Sequence, residues 1–392
     1  MTREIPAKRL DWLRAEVVAW QRDGLVDADT AAAVLARYRA GRKASVLRLV
    51  SVLGAAFVGV GLISLVASNV DRWSPMVRFT GICVVWLGAV LVAEVLHRRD
   101  PGGAEDGVPL GVGAARLIAV ASYAGVVFQA AQSLQVPAYS SGLLGCVAGG
   151  ALAYAYACRG VGPLVVGIAS LVGWFAWSVG ERSDSAAAVV VALLAAAVAV
   201  TAVATVHERS SVEEFEPPWA YVGAALALAG LFAAAIPEAA DEALDISKVV
   251  GAAVFVIAFA AGAATRASDQ GRREVAAAVV VLAAGILLVG WSPAEGSRDV
   301  LTGLELARAV VATGLYLAAA VWIAVVGAVR DRPQLTNLAT AALVVFVTVQ
   351  SFGVFAPLLS GAALFLVLGV VLIAGGALAN RGRRRLIEEV AE

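Results

Sequence analysis

Roughly a dozen apolar stretches, each about twenty residues long, fill the chain from Val46 to Ala379. A bilayer core about 30 Å thick needs around twenty residues of helix at about 1.5 Å each. In lipid the backbone must satisfy its own hydrogen bonds, and long Ala/Val/Leu runs without period-2 alternation favour helices over a barrel. The composition agrees: 392 residues, 60% hydrophobic and only 15% charged, are too apolar for a water-soluble fold.

Spans are expected near 46–68, 75–96, 110–130, 139–157, 161–180, 186–206, 219–237, 247–266, 273–291, 304–329, 335–356 and 358–379. The formal net charge is zero, but the charges are segregated. Arg42, Lys43 and Arg48 precede the first span and Arg98 and Arg99 follow the second. Arg159, Arg209, Arg266, Arg272, Arg273, Arg330 and Arg332 fall in successive alternate connections, and the tail carries Arg381, Arg383, Arg384 and Arg385. The opposite connections hold only Arg72, Arg78, Arg182, Lys248, Arg298 and Arg308. By the positive-inside rule both termini are cytoplasmic. An even number of spans follows, and twelve fits best. Ten is the alternative, because the short Ala-rich spans around 186–237 are the weakest. The fold class is therefore an all-α membrane protein, expected in a bacterial cytoplasmic membrane.

Residues 1–45 form a separate cytoplasmic element, ahead of a membrane domain over 46–380 and a basic tail over 381–392. Leu10, Leu13, Val17 and Trp20 recur at helical spacing, with Arg14, Glu16 and Arg22 on other faces. Gly24 ends that helix, and Asp27 or Asp29 can cap a second one running through Val34, Leu35 and Tyr38 to Gly41. Two short amphipathic helices bury little alone, so they pack on each other, on the membrane surface or on a partner. No cleavable signal peptide is expected, since the first apolar run starts late and is long.

The segment Gly24-Leu25-Val26-Asp27, with the Ala-rich helix that follows, resembles the start of the bacterial membrane proteins grouped as domain-of-unknown-function family 2157. So does the Gly-rich first span, Gly54 through Gly61, closing on Ala67-Ser68-Asn69-Val70-Asp71, where Val70 stands in place of the family's usual Trp. Ala131-Gln132 before Val136-Pro137 is similar to the family's segment after the third span. Leu335-Thr336-Asn337, the two closing spans and the basic tail match in style. The resemblance implies a membrane location and no established activity.

Ionisable groups deep in a membrane are functional by default, and none must sit near the midplane here. Glu94 and Arg116 lie near cytoplasmic span ends, within snorkelling reach of water, and Glu94 can pair with Arg98 at i+4. A proton- or sodium-coupled transporter is disfavoured accordingly. The remaining polar residues gather toward the outer side: Asn69, Asp71, Arg78, Gln129, Gln132, Arg308 and Gln350. If their helices adjoin, they line an outward-open pocket whose two guanidiniums can hold an anionic group, such as a lipid head group, a polyprenyl phosphate or a small carboxylate. The bland reading makes them interfacial residues bonded to lipid and water.

Glu238, Asp241, Glu242 and Asp245 form an acidic outer connection, but their spacing matches no calcium loop. That connection, like the cytoplasmic Glu213, Glu214 and Glu216, reads as solvated. Cys83, Cys146 and Cys158 form neither a disulfide framework nor a metal motif. His97 and His207, the only histidines, fall in cytoplasmic connections. Gly145 and Gly149 give small-xxx-small spacing suited to helix packing. There is no P-loop, dinucleotide fingerprint or nucleophile elbow, and no catalytic residue, metal or cofactor is assigned. Two readings remain. One is a non-enzymatic binding or scaffold protein docking a partner protein through its N-terminal hairpin. The other is a transporter or lipid-handling protein using the outer pocket. Membrane lipids are the expected surroundings under both, and nucleic acid under neither.

Overall fold

The computed structural model describes residues 3–41, 54, 57, 61, 74–99, 110–137, 139–183, 185–236, 246–291 and 303–350. The first and twelfth expected spans, Asn69, Asp71, the acidic 238–245 connection and the basic tail lie outside the described residues, apart from positions 54, 57 and 61. The chain divides into two compact units, Met1–Val136 and Pro137–Glu392.

The first unit begins with a small head. Strand β1 (Arg3–Pro6) leads into helix α1 (Ala7–Arg22), then α2 (Ala28–Ala36) and strand β2 (Tyr38–Gly41). Leu10 and Val17, two turns apart on α1, are buried with Ala31 of α2. Gly24, at φ 71°, ends α1. Leu25 N–H donates to the Trp20 carbonyl at 2.9 Å and Gly24 N–H to that of Gln21 at 3.2 Å, the Schellman pattern that favours glycine. Asp27, rather than Asp29, caps α2, accepting from Thr30 N–H at 2.7 Å. The Thr30 side chain, and after it this N–H, hold the Asp27 carboxyl below its ordinary value. The second helix stops at Ala36 rather than running to Gly41, because Tyr38–Gly41 pairs in parallel with β1, Arg3 beside Tyr38 and Pro6 beside Gly41.

Helices α3 (Pro75–Arg99) and α4 (Leu110–Ser133) follow as an antiparallel hairpin. Pro75 occupies the first helical position, and Ser74 Oγ accepts from Val77 N–H at 3.4 Å.

The second unit holds α5 (Ser141–Cys158), α6 (Val161–Arg182), α7 (Ala186–His207), α8 (Glu216–Ala235), α9 (Ile246–Ala264), α10 (Asp269–Gly290), α11 (Gly303–Val329) and α12 (Pro333–Gln350). Helices α3 to α12 coincide with the second to eleventh expected spans within a few residues. Nine of them are long and apolar enough to cross a membrane, and α9 has a shorter apolar stretch, Val250–Ala264. This is a polytopic helical membrane protein.

The Ala-rich spans that read as weakest in sequence are the centre of this unit. Half of the residues in the spans of α7 and α8 are buried, more than in any other described span. Lipid tails are as apolar as leucine, so helices associate through close fit rather than hydrophobic exclusion. Leu194 of α7 shows how. A Cβ placed on Gly285 of α10 would fall 2.0 Å from Leu194 Cδ1, and one on Gly230 of α8 would fall 2.6 Å from Cδ2. The two glycines leave the gap that this leucine fills. Val190 and Val198 of α7, Leu231 of α8, Leu282 of α10, Tyr316 of α11 and Phe346 of α12 complete the cluster. The Tyr316 and Phe346 rings stack at 3.8 Å. Of the paired glycines on α5, Gly145 lies under Trp174 of α6, at 3.0 Å from a would-be Cβ, whereas Gly149 has no atom within 4 Å of one.

Gly285→Ala forces Leu194 out of its place and should destabilise by about 1–3 kcal/mol, and Leu194→Ala by about 2–5 kcal/mol. Because the two share one gap, the double variant should lose less than the sum. Unfolding of the four proteins in detergent checks this; strict additivity would remove the wedge from the account of the core.

Candidate functional site

The α3–α4 hairpin carries two of the polar residues singled out in sequence, Arg78 and Gln129, and Gln132 beyond them. Arg78, in the first turn of α3, is 9% exposed and Gln129, in the last turn of α4, is 5% exposed. Arg78 Nε and Nη1 and Gln129 Nε2 are buried without a hydrogen-bond partner among the described residues. Gln132 is exposed. At the other end of the hairpin, Glu94 pairs across the helices with Arg116, Oε1 to Nη2 at 3.5 Å. Arg116 is 2% exposed, so it is enclosed by protein rather than reaching for water.

Arg308 and Gln350 belong to the second unit. Arg308, near the start of α11, is 3% exposed. Its Nη2 donates to the carbonyls of Ala234 at 3.0 Å and Ile236 at 3.4 Å, and its Nε to that of Leu288 at 3.4 Å. Those carbonyls end α8 and α10, where helices leave acceptors unmet and the dipole is negative. The guanidinium thus closes two helix C-termini. Gln350 ends α12, half-buried. Antiparallel contacts of α11 with α12, Thr336 to Ala324 at 3.3 Å and Tyr316 to Ala342 at 3.2 Å, put it near the level of Arg308.

The strongest polar constellation lies elsewhere, at the end of the second unit where the Arg-bearing connections meet. Glu208 follows α7, Glu216 opens α8, Glu274 sits in the second turn of α10, and Arg330 and Arg332 flank the α11–α12 turn. That turn is again a Schellman motif. Arg332 N–H reaches the Gly327 carbonyl at 2.6 Å and Asp331 N–H that of Ala328 at 3.2 Å. Asp331 takes the left-handed conformation, φ 53°, and Pro333 starts α12 at once. The tight reversal aims both arginines at the acids. Arg330 Nε donates to Glu274 Oε1 at 2.5 Å, its Nη2 to Glu208 Oε1, and its Nη1 lies 3.7 Å from Glu216 Oε1. Arg332 grips Glu216 with both terminal nitrogens, the bidentate form that strengthens a guanidinium–carboxylate pair.

Glu208 has a second task. Its Oε2 accepts the Ser268 N–H at 3.0 Å, while Ser268 Oγ caps α10 by accepting from Gly271 N–H at 2.9 Å. A Cβ on Gly271 would fall 2.8 Å from both Glu208 oxygens, so only glycine lets the carboxylate reach that helix end. Burial acts to raise the Glu208 pKa, but the Ser268 N–H and Arg330 outweigh it and hold the carboxyl below the usual glutamate range. Arg330 is likewise pushed up: burial lowers it, and the hydrogen bonds from Glu208 and Glu274 more than offset this.

The expectation of solvated acids therefore holds for Glu213 and Glu214, which are exposed, and fails for Glu216, 3% exposed and held by two arginines. His207 is corrected too. It is the buried last residue of α7, its Nδ1 donating to the Val203 carbonyl at 2.7 Å and its Nε2 facing the Tyr156 hydroxyl at 2.9 Å. Since a carbonyl only accepts, Nδ1 is the donor in the first of these contacts. A cavity of about 70 Å³ lies beside Glu274, walled by Thr201, Ala224, Ala278, Trp322 and Ile323. About 10–15 Å³ of such space holds one water, so several waters have room here, and the ion pairs themselves read as a lock between helices. The signal for it in sequence was the presence of acids, Glu208, Glu216 and Glu274, in and beside connections where topology asks only for arginine.

Residues 18–162 match the model of a family described as predicted membrane protein (DUF2157). The match runs from α1 to the start of α6 and does not include the closing segment whose style is similar. No curated protein and no solved structure matches the chain.

Arg330→Met leaves buried carboxylates without their cation and should destabilise by about 3–5 kcal/mol, read as unfolding in detergent. The Glu208 contribution has the sign of a depressed carboxylate. It is complete above the ordinary value of about 4.3 and declines as pH falls through the lower folded-state value. The wild type should therefore lose stability relative to Glu208→Gln on acidification below that value; parallel pH profiles would contradict the assignment.

Proposed function

We propose that this polytopic membrane protein acts by binding rather than by catalysis, and that its head is a docking module for a protein partner on the cytoplasmic side of a bacterial plasma membrane. The head supports this reading. It has its own small core in Leu10, Val17 and Ala31, and its two ends are tied by the β1–β2 ladder. Yet Trp12 is 60% exposed and Leu25 72% exposed, with Val18 also open. A tryptophan left outside a folded element is the kind of aromatic anchor that interfaces use. The orientation rests on the alternation of arginines. The convergence of Glu208, Ser268, Arg330 and Arg332 supports it, since three of those connections meet at one end of the second unit.

A second reading, the handling of an anionic lipid or small molecule, draws support from the buried donors of Arg78 and Gln129. Arg308, given over to helix ends, supports it less.

A photo-crosslinking residue at position 15, exposed one turn from Trp12 on α1, in the full chain in its own membrane, tests the docking head. It should couple to one defined protein, and Trp12→Ala with Leu25→Ala should abolish both the crosslink and the cellular phenotype while membrane abundance holds. Crosslinks to lipid alone, or a phenotype preserved when residues 1–40 are deleted, would overturn the proposal.

A further inference from the structure

The α3–α4 hairpin carries buried donors that meet no acceptor among the described residues. Its register is regular. Leu96 lies against Gly111, with 3.7 Å to a would-be Cβ, and Glu94 meets Arg116 at 3.5 Å. Trp86 and Tyr123 rings lie 5.5 Å apart, and Ile82 is 3.4 Å from a would-be Cβ on Gly125. From Leu96 to Ile82 α3 covers fourteen residues, and from Gly111 to Gly125 α4 runs back over the same fourteen. One turn beyond Ile82 and Gly125, about 6 Å along the axis, the same register sets Arg78 opposite Gln129.

Both side chains are more than nine-tenths buried. Arg78 Nε and Nη1 and Gln129 Nε2 are all N–H donors, and none has an acceptor among the described residues. A buried guanidinium without counter-charge is among the least tolerated states of a side chain. We propose that this end of the hairpin is a binding site for a phosphate group, held by the Arg78 fork and the Gln129 amide. Three chemical facts point to that class. The missing partners are all acceptors, as a phosphate oxygen is. An arginine fork matches phosphate geometry bidentately. Arg78 also sits in the first turn of α3, where the helix dipole favours an anion. Its depth fits as well: α3 begins at Pro75, which leaves Arg78 about 4.5 Å inside the helix end, at the interfacial level of lipid head groups. The phosphate can thus come from a phospholipid or from a soluble phosphate compound. This inference rests on the second reading above and owes nothing to the docking head.

The test uses the full chain in a maltoside detergent, which contains no phosphate. Thermal unfolding is followed on adding inorganic phosphate and, separately, phosphatidylglycerol in mixed micelles, with native mass spectrometry counting retained lipid. The wild type should be stabilised by at least one. A response to inorganic phosphate identifies a soluble ligand, and a response to the lipid alone identifies a head group. Arg78→Leu removes the unmatched charge, and Gln129→Glu supplies a carboxylate facing Arg78. Both should unfold at or above the wild-type midpoint without ligand and respond at least about tenfold more weakly to it, equivalent to about 1.4 kcal/mol. Arg78→Lys, which keeps the charge and loses the fork, should fold as wild type and bind more weakly, and it decides the matter if the other variants do not fold. A wild type indifferent to both additions, or variants that respond as it does, would overturn the site. Neither outcome touches the head, so the docking proposal stands or falls separately.

Discussion

A helix already surrounded by lipid gains little apolar burial by joining another helix, and the whole second unit is organised by that constraint. What remains to hold helices in register is fit and polar closure. The fit is visible at Leu194, whose two methyl groups occupy the gaps left by Gly230 and Gly285 on separate neighbours. Polar closure appears at both ends. Arg308 gathers the carbonyl ends of α8 and α10, and Arg330 with Arg332 gathers Glu208, Glu216 and Glu274. The wedge sets distance and the arginines set rotation and height, so each would be loose without the other.

The spans were legible because a bilayer imposes one length and one composition on every segment that crosses it. That is why α3 to α12 lie where the apolar runs lie. Burial was not legible from hydropathy. The described runs richest in alanine, α7 and α8, are the most enclosed, since small residues admit close neighbours. Gly145 and Gly149 make the same point: identical spacing, but only Gly145 has a neighbour, Trp174, pressed against it.

The charges were legible as topology and not as chemistry. Arg330 and Arg332 were counted for the side they mark, whereas their partners lie far along the chain, at Glu208, Glu216 and Glu274. Pairings over such separations leave no local pattern, and the i+4 neighbour is a poor guide: Glu94, four residues before Arg98, pairs with Arg116 on another helix. Among the pocket residues, polarity near span ends was a sound indicator of burial for Arg78, Gln129 and Arg308. It could not tell a guanidinium that closes helix ends from one whose donors stand unmet, because that depends on which carbonyls the fold brings within reach.

The lock around Arg330 also imposes an order of events. Glu208 and Arg330 are 122 residues apart, and a ribosome adding about 5–20 residues per second needs roughly 6–24 s to cover that distance. For that interval α7 has been delivered to the bilayer with its terminal carboxylate still waiting for its cation. Helices α8 to α10 arrive while it waits, and the glycine gaps around Leu194 and the Ser268 N–H bond to Glu208 are attachments to α7 that are complete before the arginine turn is made. The same fold that looks simultaneous when complete is thus assembled as a slide fit first and a latch last.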